Sequence, residues 1–98
     1  MIPDNVDIVV THCPPYGHGD KMYRRTPCGN TLLAARIAQC HPVLSVFGHI
    51  HEMYGVERDE HTTYVNCALL SEEKTIRKPI VVTLQDKRVV SVDVQGKL

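Results

Sequence analysis

The chain has 98 residues, 43% of them hydrophobic, with 11 basic and 11 acidic side chains that cancel at neutral pH. That length allows one domain at most, and the balanced charge gives no electrostatic case for nucleic acid or an anionic membrane surface. No apolar run approaches a membrane span, and the first residues lack a basic stretch followed by an apolar one, so a cytoplasmic protein is expected.

Four cysteines, at positions 13, 28, 40 and 67, stand far apart without a Cys-x-x-Cys pair, which fits reduced thiols better than a disulfide framework. In chain order, five polar or turn residues lead into an apolar run, Val6–Thr11, that ends in His12 and is stopped by Pro14-Pro15. The loop that follows, Tyr16-Gly17-His18-Gly19-Asp20, has two glycines and no periodicity. His18 is a possible ligand or substrate contact there, and equally a plain loop histidine. Arg24-Arg25 reads as a solvated loop. Thr26-Pro27 has the form of a helix cap followed by proline at the first helical position, with Asn30 as a competing cap one turn later.

A helix is expected over roughly Asn30–Cys40, with Leu33, Ile37 and Cys40 on its inner face and Arg36 and Gln39 outward. His41-Pro42 ends it, because the residue before proline is pushed out of the helical region. Val43–Phe47 then reads as a strand covered on both faces, running into Gly48, where the chain can turn sharply, and into His49-Ile50-His51. Strand, helix and strand in this order make two parallel neighbours through a crossover, which sets His12 beside His49 and His51 on one sheet edge. Two further hairpins are expected. Met53–Glu57 pairs with Thr62–Cys67 across Arg58–His61, and Ile80–Leu84 pairs with Val89–Val94 across Gln85–Arg88.

Two histidines one residue apart are common, and the pair alone says little. A second strand delivering a histidine to the same edge is harder to attribute to packing, and imidazole is the commonest protein ligand for metals such as zinc and manganese.

With these residues in place, a resemblance emerges. Val9-Val10-Thr11-His12-Cys13-Pro14-Pro15, then Gly17 and Gly19-Asp20, then Val46-Phe47-Gly48-His49-Ile50-His51-Glu52 with Tyr54-Gly55, resembles the calcineurin-like metallophosphoesterase superfamily. The likeness is greatest to its small metallophosphoesterase-domain subgroup, and Thr62–Ala68 and Lys78–Val81 continue it. The resemblance implies an α/β fold, a sandwich of two mixed sheets. Residues 1–98 would form its carboxyl-terminal half, a mixed sheet with one β-α-β crossover followed by hairpins. It also implies hydrolysis of phosphomonoesters or phosphodiesters, nucleotides among them, at two divalent ions (Mn, Zn or Fe) ~3.5–4 Å apart. His12 and His49 resemble ligands of the second ion and His51 a ligand of the first.

The family's Asp-x-His, its bridging aspartate and its Gly-Asn-His with the acid–base histidine are missing from their places. Asp59-Glu60-His61, Gly19-Asp20 and Gly29-Asn30 imitate them in the wrong order and read as structural. No catalytic residue is therefore expected in this chain, and His18 and Asp20 remain candidates for a substrate loop. At most one ion is expected. The function implied is that of a phosphoesterase fragment with little or no activity by itself. The alternative is a catalytically dead metal-binding or regulatory module that pairs with itself, through an exposed sheet face, or with a full-length relative.

Overall fold

Parallel pairing of two apolar strands through one helix sets the frame. The computed structural model describes residues 2–22, 26–27, 29–68 and 76–94. The strands are β1 (Ile8–Val10), β2 (Lys21–Met22) and β3 (Thr26–Pro27), followed after helix α1 (Thr31–Cys40) by β4 (Leu44–Phe47). A 3₁₀ turn, His51–Met53, precedes β5 (Gly55–Arg58), β6 (Thr63–Asn66), β7 (Ile80–Gln85) and β8 (Arg88–Val94). The main sheet is mixed, in the order β1-β4-β6-β5, with β1, β4 and β6 parallel and β5 antiparallel at the far edge. Both expected hairpins form, β5 with β6 and β7 with β8, the second with a register irregularity between Thr83 and Leu84.

The helix begins where Asn30 caps it, its Oδ1 accepting from Leu33 N at 2.9 Å. Thr26-Pro27, expected to open the helix, instead lies in β3 and pairs antiparallel with β2. Proline fits such a two-stranded edge because it needs no partner for a missing N–H. The Asn30 side chain, free to reach a first-turn amide, takes the capping role. His41 closes the helix in the left-handed region, with φ 51°, and Pro42 prevents continuation. Arg36 does not simply face outward. Its guanidinium folds back to the Ile2 carbonyl and to Asp4, 2.7 Å away, and so ties the amino-terminal segment to the helix.

Residues opposite one another across the sheet share a face, which sets Val9, Ser45, Tyr64 and Glu57 in one row and Phe47 and Asn66 in the next. Ile37 and Leu33 of α1 pack on this face against Phe47 and Tyr64. On the other face Leu44 and Val65 are buried, but β1 is less covered than its apolar sequence suggests: Ile8 is 42% and Val10 73% exposed. The β7–β8 hairpin is tied to both ends of the sheet, through Tyr54 and the Lys78 carbonyl at one and Lys87 facing Asp7 at the other.

Candidate functional site

The carboxyl ends of β1 and β4 carry the site. Their pairing continues past the strands, with Thr11 N donating to the Val46 carbonyl and Gly48 N to the His12 carbonyl. This zipper sets His12 and His49 side by side. Their ring centres are 4.8 Å apart and the planes are tilted by 54°. Both are exposed. The turn expected at Gly48 is made one residue later. His49 itself takes the left-handed conformation, φ 69°, and Ile50 N then closes a tight turn onto the Gly48 carbonyl. A non-glycine residue in that region is uncommon and costs energy, and such strain collects at functional positions.

His51 follows in the 3₁₀ turn and is half-buried. The chain bends after His49, buries Ile50 and enters the 3₁₀ turn, where the His51 carbonyl accepts from Arg77. Two imidazoles on one tetrahedral ion have ring centres about 5 Å apart, close to the His12–His49 spacing. Among the described residues no group of three or more histidines, cysteines and carboxylates is assembled to hold a metal. His12 and His49 are thus the two candidate donors brought together at this edge, and among the described residues no carboxylate joins them in a metal-holding group. Cys13, next to His12, is an exposed thiol rather than the buried one its strand-end position suggests.

The three imitation motifs all have structural work. Asp20 is 1% exposed, and its Oδ2 accepts from Gly17 N and Gly29 N, both at 2.9 Å, which folds the loop back on the segment before α1. Gly29 approaches Pro15 so closely that an added Cβ would lie 2.5 Å from its carbonyl. Asp59 shapes the β5–β6 turn, accepting from His61 N and Thr62 N through Oδ1 and from the Tyr64 hydroxyl through Oδ2. Burial raises the Asp59 carboxyl, but these hydrogen bonds and the charge of His18 outweigh it and hold the group below the usual carboxylate range. Burial, with Asp59 alongside, pushes the Tyr64 phenol well up.

His18 lies against the sheet. Its ring stacks on Tyr64, 3.8 Å centre to centre and parallel within 2°, and Nδ1 is 2.8 Å from Glu57 Oε2. Sequence reasoning found His18 but not its partners, which lie 39 and 46 residues further along the chain and give no local signal. It also missed Asn66, which is 1% exposed. Asn66 Nδ2 donates to the Gly19 and Ile50 carbonyls, at 3.1 and 2.9 Å, and Oδ1 accepts from Ala68 N. One side chain thus holds the 16–20 loop, the turn carrying His49 and the end of β6 together. A polar residue closing the run Thr63-Tyr64-Val65 is the one sequence signal that points to it. Gly19, Phe47, Tyr54, Glu57, Tyr64 and Asn66 line a cavity of about 220 Å³.

No family model matches the chain. Metallophosphoesterase domain-containing protein 1 of Homo sapiens is 41% identical over 92 residues, 90% of this chain and 28% of that protein. One UPF0046 protein of Caenorhabditis elegans is 39% identical over 84 residues, covering 84% of this chain and 21% of itself. Another from the same organism is 37% identical over 88 residues, 83% of this chain and 31% of its own length. The chain therefore spans between about a fifth and a third of these relatives. It is homologous to a stretch of the metallophosphoesterase domain-containing protein 1 and UPF0046 proteins.

Proposed function

We propose that this chain is a segment of a metal-dependent phosphoesterase that contributes two imidazole ligands, His12 and His49, to one ion at the carboxyl edge of its sheet. The observation that carries this reading is the 4.8 Å approach of the two rings at the ends of adjacent parallel strands. The bound ion would polarise a phosphoryl oxygen and lower the pKa of a bound water. This chain's own part is positional. Gly48 N and Thr11 N fix the two strand ends, and Asn66 fixes the Ile50 carbonyl directly after His49.

The remaining ligands are carboxylates from residues beyond these 98, together with the second sheet of a sandwich. Such a partner layer would cover Ile8 and Val10. His51 would join the site only in that longer assembly. By itself the segment holds at most one divalent transition ion, weakly, and turns over no phosphoester at an appreciable rate. Its substrate class is a phosphoester small molecule, a nucleotide among the candidates.

The test compares this chain with a longer polypeptide that also carries Asp-x-His, a bridging aspartate and Gly-Asn-His. Metal content and hydrolysis of an aryl phosphodiester are measured for both. Two ions and turnover in the longer form only, both lost with His49→Ala, are expected. Two ions and robust turnover from the 98 residues alone would contradict the assignment and turn attention to Asp20 and Asp59. A metal-binding or regulatory module without catalysis is the second reading, favoured by the missing Asp-x-His, bridging aspartate and Gly-Asn-His in these 98 residues. One stoichiometric ion in both forms, with hydrolysis in neither, would establish it.

A further inference from the structure

We propose that the cavity on the helix side of strands β5 and β6 is a binding site for a small organic cation, a primary ammonium carried on a compact apolar body. The architecture leaves this space open. Four strands ~4.8 Å apart span roughly 15 Å, whereas one helix with its side chains is about 10 Å across. Helix α1 packs over Phe47 of β4 and Tyr64 of β6, and the neighbouring edge strand β5 is largely exposed. On β5 this face carries Gly55 and Glu57, and a Cβ added at Gly55 would meet nothing within 4 Å. The resulting cavity of about 220 Å³ is below the ~300 Å³ at which ordinary small-molecule sites begin, so its guest is compact.

The walls select the charge of that guest. Phe47, Tyr54 and Tyr64 contribute aromatic rings, whose faces attract cations. The hydrogens of the polar side chains that line the cavity are already donated. Tyr64 gives its hydroxyl hydrogen to Asp59 and Tyr54 gives its own to the Lys78 carbonyl. Asn66 gives its amide hydrogens to the Gly19 and Ile50 carbonyls. Glu57 is a carboxylate whose Oε2 is paired with His18 Nδ1, and among the described residues its Oε1 has no hydrogen-bond partner. These side chains therefore offer a guest acceptors and an anionic oxygen. A phosphate, which brings mainly acceptors, finds no donor among them, whereas an ammonium has three donors to place. Asp59, 2.9 Å from the Tyr64 hydroxyl and held below the usual carboxylate range, adds a second negative charge behind that wall. Arg77 lies over the Tyr54 ring, but it does not line the cavity, and its guanidinium is bonded to the His51 carbonyl.

The experiment is an NMR titration of the full, metal-free chain with benzylamine, set against benzyl alcohol and benzoate, which keep the ring and remove or invert the charge. Benzylamine should give saturable shifts at the amides of Gly19, Gly55, Glu57 and Tyr64. Benzyl alcohol should bind about fivefold more weakly, the size a half-exposed ion pair allows, and benzoate should not bind. Glu57→Gln should weaken benzylamine by about the same factor and leave benzyl alcohol unchanged. His49→Ala, which removes a candidate metal ligand, should leave benzylamine binding as it was, so that this site and the metal centre stand or fall separately. Shifts elsewhere in the chain, no saturation, equal affinity for the three probes, or a Glu57→Gln variant that binds benzylamine as tightly as the wild type would overturn the assignment.

Discussion

His49 combines a candidate ligand with a backbone conformation that favours glycine. The left-handed region costs a non-glycine residue about 1 kcal/mol or more. His49→Gly should therefore leave the unfolding free energy unchanged or raise it by up to about 1 kcal/mol while abolishing metal binding. Urea unfolding and a zinc titration on the same sample check this. A clear loss of stability would mean that the imidazole is a packing group.

Asp59 gives a pH-dependent counterpart. Its carboxyl is held low in the folded chain, so its contribution to stability is present at neutral pH and lost as pH falls through the folded value. Asp59→Asn should cost about 0.5–1 kcal/mol at pH 7, the range for an exposed charge-assisted hydrogen bond, and close to nothing at pH 2. Equal costs at both pH values in unfolding experiments would refute the assignment.

At the scale of elements, the apolar runs, His41-Pro42 and the polar turns were enough to read the crossover and both hairpins from sequence. Alternation and proline act within a few residues, so those elements were legible. The β2–β3 pair was not, because Thr26-Pro27 carries the same local signature as a helix start, and its strand character comes only from its partner. The placing of His12 beside His49 followed from parallel topology alone. That His49 itself makes the turn and that the His51 carbonyl meets Arg77, 26 residues on, did not, since neither leaves a local signal.

Asn66 is the element-scale test. Buried with bonds to three segments, it should cost about 2–3 kcal/mol on replacement by alanine, because its carbonyl and amide partners lose their bonds inside the protein. The same change should increase hydrogen exchange in both the 16–20 loop and the turn after β4. Acceleration confined to one of them would break the proposed link.

The whole molecule has a radius of gyration of 13.2 Å, close to the ~13 Å of a compact domain of this length. Yet on edge strand β1 Val10 is largely uncovered and Ile8 partly so. An apolar strand with an open edge is a template for pairing with another chain. In sedimentation the isolated chain should therefore self-associate with rising concentration, and Val10→Lys should restore a monomer. A wild-type monomer across the micromolar to millimolar range would exclude that surface as a contact.

The most direct measurement follows all the imidazoles at once, by NMR during a zinc titration of the chain. The ring signals of His12 and His49 should shift together and saturate at one equivalent, with His18, His41 and His61 unmoved. Shifts confined to the stacked pair His41 and His61, or spread evenly over every histidine, would contradict a metal site at the ends of β1 and β4.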